Sequence, residues 1–449
     1  METLQGSDEK SDASTWVVIG VGLFIAAAGF AFHLNLELRL DKLEVFNQNN
    51  ILFDADPNEV LPSFFHGKGP NEDFRRGLIH PNLGNFFTVP IRGLANTASL
   101  VFPGEIDPTH FRRQLALLVV PISAALFYLV FYALLLHLRF PLLLASLFTV
   151  LALFTFSQML FGSIPETYAL SNFAIALAYL LFVLMRGRSG MYVFPAWFAV
   201  GMFTTGITIT NIIPVMILFW LGEIYKGCRI SHSLLRTSGL AALVLVVTIL
   251  FNLMSNFAVG FQQRSLGKEA GWVKAFIPED INVVKRKFLT FPTILVNSVV
   301  AQEPKQVHNE YAVSMDPAAR YDFQFTYDYD NQEKSTLPFL SFRNSIGIVL
   351  CLLILLLVLR VLPVTDPTLY LLSWGSLLII GYNWVLHSFW GLDRMLYSQH
   401  WHVSLMLLLA AIVAPSLHAS RVRTALVAAS ILLIAANNLL VLRTMLKAF

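Results

Sequence analysis

Apolar and polar positions along this chain segregate into long blocks instead of alternating within elements. Apolar runs recur at about 16–36, 115–137, 141–161, 168–185, 191–206, 207–222, 237–259, 345–360, 368–386, 401–417 and 423–442. A helix needs ~20 apolar residues, at ~1.5 Å rise each, to cross the hydrocarbon of a bilayer. The pattern therefore predicts an all-α integral membrane protein, a polytopic bundle of about eleven transmembrane helices. The stretch 191–222 is too long for one crossing and short for two, and Thr204, Thr205, Thr208, Thr210, Asn211 and Pro214 interrupt it. Broken helices are tolerated at membrane depth where protein or a cavity covers the freed backbone.

Polar blocks set the sides. With the N-terminus inside and all eleven runs crossing, the inner connections hold Arg139, Arg186, Arg188, Lys226, Arg229, Arg236, Arg360, Arg421 and Arg423 against only Glu223 and Asp366. Cytoplasmic loops carry such an excess of Lys and Arg. Merging 191–222 into one crossing would put the two most basic short loops on opposite faces, so two short spans are expected there. The outer face then receives two large loops, about 37–113 and 261–343, which together hold 38 of the 59 charged residues. The layout is a tail and first span (1–36), outer loop 1 (37–113), about six spans (114–260), a large outer loop (261–343) and about four spans (344–449). Within the second loop, Asn282 to Val300, with Lys285, Arg286 and Lys287 near its start, has the character of an interfacial amphipathic helix.

Composition agrees with the pattern. The chain is 56% hydrophobic and 13% charged, about half the charged fraction of soluble domains. A formal net charge of +3 gives no reason to expect a nucleic-acid partner. The two cysteines, Cys228 and Cys351, imply no disulfide framework and exclude a four-cysteine metal site. Glu2, Asp8, Glu9 and Asp12 against Lys10 ahead of Trp16 are the wrong charge for a signal peptide, so 16–36 reads as a retained span with the N-terminus cytoplasmic. The expected location is a membrane, the plasma (inner) membrane if the source is bacterial.

Candidate chemistry lies in the outer segments. Asp54-Ala55-Asp56 follows the first span, and His80-Pro81-Asn82-Leu83 comes later in the same loop. Two carboxylates two residues apart can divide base and orienting roles on a hydroxyl acceptor, or hold a divalent cation, and a nearby histidine can donate to a phosphate. Glu166 is the one charged residue between Arg139 and Arg186, set after Pro165 at an outer helix start, either as a partner for the helix N-terminus or as a further site carboxylate. Arg394 lies in a compact outer loop beside Tyr397, His400 and His402. On a helix His400 and His402 point apart, which argues against joint metal ligation. Tyr321 to Asp330 mixes acids with aromatics, as a sugar-contacting surface or as a strand-turn on a folded loop.

The acidic pair soon after a first span, with His-Pro about 25 residues on, resembles the GT-C superfamily of membrane glycosyltransferases, in particular its protein O-mannosyltransferase-like branch. Asp54-Ala55-Asp56 fits the modified Asp-X-Asp motif, while His80-Pro81-Asn82 has Asn82 where the branch has a second proline. Ser163-Ile164-Pro165-Glu166-Thr167-Tyr168 is similar to an acidic segment of some members, and Leu396-Tyr397-Ser398-Gln399-His400-Trp401 is a weaker echo. The resemblance implies a GT-C-like bundle and inverting sugar transfer from a polyprenyl-phosphate donor to an acceptor glycan, lipid or protein at the outer leaflet. Asp56 or Asp54 would serve as base, with Glu166 as a second carboxylate. His80, Arg394, Tyr397 and His400 would bind donor phosphate and substrate. The departing phosphate needs positive charge, for which Arg394 is preferred over Arg92, Arg112, Arg113, the run 285–287 and Arg343. Any cofactor would be a divalent cation on Asp54 and Asp56. Competing readings are a lipid-linked substrate flippase, a non-enzymatic assembly subunit, and a polysaccharide ligase or polymerase.

Overall fold

The computed structural model describes residues 8–65, 79–259, 274, 277, 278, 280–309, 320–327, 366–391, 393–417 and 421–449. These are mostly helical. In chain order the helices are α1 (Asp8–Lys42), α2 (Pro57–Phe65), α3 (Val89–Val101), α4 (Pro108–Leu117), α5 (Val119–His137), α6 (Leu142–Phe154), α7 (Phe156–Phe161) and α8 (Tyr168–Met185). They continue with α9 (Val193–Ile207), α10 (Ile212–Tyr225), α11 (Ile230–Val259), α12 (Ile281–Val299), α13 (Pro367–Phe389), α14 (Gln399–Leu417) and α15 (Arg421–Leu446). Two short strands, β1 (Lys305–His308) and β2 (Phe323–Thr326), pair antiparallel with Lys305 opposite Thr326.

Among the described residues six helical stretches are long and apolar enough to cross a membrane: Thr15–Lys42, Pro108–His137, Tyr168–Met185, Ile230–Met254, Pro367–Phe389 and Val427–Leu446. Leu142–Phe154, Val193–Ile207 and Ile209–Tyr225 are apolar but shorter. Against the expected eleven crossings, the described residues thus show six helices of spanning length, and the run 345–360 lies outside them. The first helix also runs on to Lys42, past the expected boundary at 36, so Glu37 and Asp41 are helical. The 191–222 stretch is two helices, separated by an extended Thr208 and a single tight turn at Ile209–Asn211.

Close helix packing follows from small residues. A Cβ on Gly22 would fall 2.8 Å from the Tyr132 ring, and one on Gly29 would meet Tyr128, so these glycines let α1 approach α5. His33 fixes the same contact with polar bonds. The Ser163 hydroxyl donates to Met159 O at 3.0 Å, so His33 Nδ1–H donates to Ser163 Oγ (2.8 Å) and Tyr128 donates to Nε2 (2.6 Å). At the end of α1, Arg113 of α4 pairs with Asp41 through both terminal nitrogens.

The segments between helices are built against each other. Phe53 N–H donates to Phe325 O at 2.9 Å and Phe325 N–H to Ile51 O at 2.8 Å, which adds residues 51–53 to the β1–β2 ribbon. Tyr321 and Phe323 of that ribbon pack on Phe449, beyond α15. Helix α12 is amphipathic as expected only over its first half; from Thr290 to Val299 it is almost entirely buried, packed on α13 and α7. The acid-aromatic stretch starts as strand β2, and its Asp328, Tyr329 and Asp330 lie outside the described residues.

Candidate active site

The loop between α1 and α2 turns back on itself. Asn50, Phe53 and Asp54 all have positive φ (60°, 53° and 63°). Asn and Asp enter this left-handed region readily, whereas a phenylalanine held there carries ~1–3 kcal/mol of strain. Burial of the Phe53 ring against Tyr327 (5.1 Å), Phe156 (6.0 Å) and Phe161 (6.4 Å) offsets it. Asn50 N–H donates to Ala55 O at 2.8 Å and closes the turn. The Asn50 side chain, with its amide nitrogen turned toward the acids, donates to Asp54 Oδ1 and Asp56 Oδ1, each at 3.1 Å. Both acids are half-buried, just before α2 begins.

Glu166 joins them from the loop before α8. Its Oε1 accepts the Asp56 backbone N–H at 2.7 Å, and its Oε2 accepts the Thr167 N–H at 3.2 Å where α8 begins. The two roles expected as alternatives for Glu166 are therefore compatible in one geometry. A fourth carboxylate, Asp393, accepts from Thr326 Oγ1 (2.9 Å) and from Met395 N–H (2.8 Å), and its own N–H donates to Asp54. Burial, and then the charges of Asp393 and Glu166, push the Asp54 carboxyl up to about 7, against the opposing Asp393 N–H and Lys287 charge.

Of two buried cations nearby, Lys287 acts on Asp54 and Arg394 braces the helix that carries Lys287. Lys287 is 4% exposed and its Nζ donates to Gly391 O at 2.5 Å; Arg394 is 3% exposed and donates to Thr290 Oγ1 at 2.6 Å and to Lys287 O. The pair thereby ties α12 to the loop 391–398. Tyr397 stands edge-on to Tyr168 (5.6 Å), and Tyr168 lies 5.7 Å from His400. Burial and the charges of Asp54, Asp56, Glu166 and Asp393 hold the Tyr397 hydroxyl well above its ordinary value, so it stays protonated, a donor beside four acids.

Of the residues expected from sequence, Asp54, Asp56, Glu166, Arg394, Tyr397 and His400 thus gather at one end of the bundle. His80 sits on the α9 side: its Nδ1 donates to Ile207 O (2.7 Å) and lies 3.3 Å from Thr208 Oγ1, itself 3.3 Å from Ser171 of α8. Pro81 and Asn82 are tied to α11 by Asn252 and Thr248. Of the other arginines considered, Arg113 is paired with Asp41, Arg92 and Arg112 share the α3–α4 groove, and Arg343 lies outside the described residues. His402 points away from His400, bonded to Thr155 Oγ1 at 2.8 Å and Asn172 Nδ2 at 3.1 Å. Among the described residues no group of three or more His, Cys, Asp or Glu is spaced to hold a metal ion.

Sequence reasoning missed Asp393 and passed over Lys287. The signal for Lys287 was present: Val284, Lys287, Phe291, Ile294 and Leu295 fall on one helical stripe, which makes it the inward member of the basic run. Comparison with known family models and with curated proteins finds no match for the chain.

Proposed function

We propose that the chain is a GT-C-type glycosyltransferase that moves a sugar from a polyprenyl-phosphate donor to a hydroxyl or amide acceptor at the outer leaflet, with inversion. The observation that carries this reading is the convergence of Asp54, Asp56 and Glu166, from two loops far apart in sequence, near the buried Lys287, which Arg394 braces. Asp54 takes the acceptor proton, since a general base works best with a pKa near the working pH. The acceptor atom bonds to the anomeric carbon as the bond to phosphate oxygen breaks, and the polyprenyl phosphate leaves with its electron pair. Lys287 and Arg394 offset the charge that develops on it. Tyr168 and Tyr397 offer aromatic walls suited to a sugar ring.

The proposed topology has eleven crossings, a cytoplasmic N-terminus and both large loops outside. It is supported by how the helix ends group: the end of α1, the starts of α4 and α8 and the far side of α15 gather around the acids and the ribbon. The connections at Arg186–Arg188 and Lys226–Arg236 belong to the opposite end, where Glu223 binds Lys226 and Arg236.

The test is sugar transfer from a polyprenyl-phosphate donor in proteoliposomes. Asp54→Asn is expected to lower turnover by about 10²–10⁴-fold with insertion and abundance unchanged; wild-type activity in that variant would sink the assignment. A flippase is the second reading, favoured by the fully buried His33 and Glu37 within α1. Donor translocation by the purified protein without any acceptor would select it.

A further inference from the structure

Helix α3 presents an apolar face away from the protein. Val89, Leu94, Leu100 and Val101, followed by Phe102, are exposed, Leu100 at 80%, while Ile91 and Ala95 on the opposite side are buried. A row of apolar side chains this exposed marks an interaction surface. Its polar edge carries Arg92 and Asn96, and Arg112 of α4 donates to Asn96 Oδ1 at 2.6 Å. Arg92 Nε donates to Phe65 O at 3.3 Å, which keeps its guanidinium on the same side. Burial, and then the Arg112 charge, lower Arg92 from its ordinary value, as two like charges held together must.

The level of this pair relative to a bilayer follows from helix length. Pro108–His137 is one 30-residue apolar stretch, about 45 Å long at ~1.5 Å per residue against ~30 Å of hydrocarbon. Its first part, α4, carries His110, Arg112, Arg113 and Gln114 and belongs in the headgroup layer. Thr15–Lys42 is overlong in the same way, and Asp41 near its end meets Arg113 at that level. Among the described residues, Glu105 and Asp107 lie in the turn before α4, where Asp107 caps the helix.

We propose that α3 lies in the membrane surface with its apolar face among acyl chains, and that Arg92 and Arg112 bind the phosphate of an anionic phospholipid. The occupant follows from charge complementarity, two cations beside an apolar face, and from continuity with the span that α4 opens. Lys and Arg near a charged membrane surface contribute ~1 kcal/mol each. The site stands whether or not the chain is a transferase.

The full chain, with Cys228→Ser and Cys351→Ser, is labelled with a nitroxide at Leu94→Cys or Leu100→Cys in vesicles of phosphatidylcholine and phosphatidylglycerol. Labels at both positions are expected to collide more with oxygen than with a water-soluble nickel chelate. Phosphatidylglycerol retained by the purified protein is expected to drop about 30-fold in Arg92→Gln/Arg112→Gln, with phosphatidylcholine unchanged, and to be kept in Arg112→Lys. Labels open to the nickel chelate overturn the proposal, as do labels shielded from both reagents, which would mean a second copy or a protein partner on this face. Equal phosphatidylglycerol retention in the double variant, or its displacement by excess inorganic phosphate, overturns the lipid site.

Discussion

Asn50 is the residue through which the acid pair is tuned. With its amide nitrogen turned toward the acids, Asn50 donates to both Asp54 and Asp56, which opposes part of their mutual repulsion. With Asp54 at about 7, the base form is the minority below neutrality. The logarithm of kcat/KM is then expected to rise with unit slope on the acid side and to level off above pH 7. Removing the donor in Asn50→Ala takes away a hydrogen bond to a charged group, worth about 1.5–3 kcal/mol and divided between two acceptors. That moves the acid limb up by about one pH unit. A limb that stays in place would mean that Asp54 is not the titrating base. The linked stability effect has the opposite sense from the usual carboxylate. The folded-state pKa lies above the unfolded value of 3.8, so the Asp54 contribution is most favourable below about pH 4, declines between 4 and 7, and is constant above.

At the scale of elements, the site depends on the buckle between α12 and the loop 391–398. Lys287 holds Gly391 O, Arg394 holds Lys287 O and Thr290, and Gly391 has φ of 97°. A Cβ there would crowd the Tyr397 ring and come within 2.8 Å of its hydroxyl oxygen. Gly391→Ala is therefore expected to combine left-handed strain of about 1–2 kcal/mol with overpacking of about 1–3 kcal/mol. The outcome to measure is a lowered thermal midpoint in detergent together with a larger loss in kcat than in KM, because Tyr397 is displaced from the acids. A normal midpoint with normal turnover would remove Tyr397 from the site. The same buckle explains what the sequence reveals and what it hides. Helices are legible because a long apolar run has few other outcomes, and Asp54, Asp56 and Glu166 stand out as isolated acids beside spans. Asp393 does not stand out: beside Arg394 it looks like an exposed ion pair, and only the fold sets it against Asp54 and Thr326. The contacts of His80 with Ile207 O and Thr208, at the end of α9, are equally set by the fold and not by its sequence neighbours.

For the whole molecule, the proposed topology can be tested at the helix ends. Arg113 meets Asp41 at one end, and Lys226 and Arg236 meet Glu223 at the other. Phe449 packs on Tyr321, whose hydroxyl donates to Leu43 O at 2.7 Å. The far side of α15 thus sits with the far side of α1, an arrangement that the proposed odd number of crossings would give. The proposed eleven crossings count α6 with α7, α9 and α10 as one each and take the eleventh from the apolar run 345–360, which lies outside the described residues. Single cysteines at Thr109, Lys447 and Ser189, all exposed positions, in a chain carrying Cys228→Ser and Cys351→Ser, test this directly. An impermeant maleimide added to intact cells is expected to label Thr109→Cys and Lys447→Cys, and to reach Ser189→Cys only after permeabilisation. Labelling of Ser189→Cys alone would invert the orientation while keeping the parity. Labelling of Thr109→Cys without Lys447→Cys would make the number even, and would separate α15 from the ribbon on which Phe449 rests.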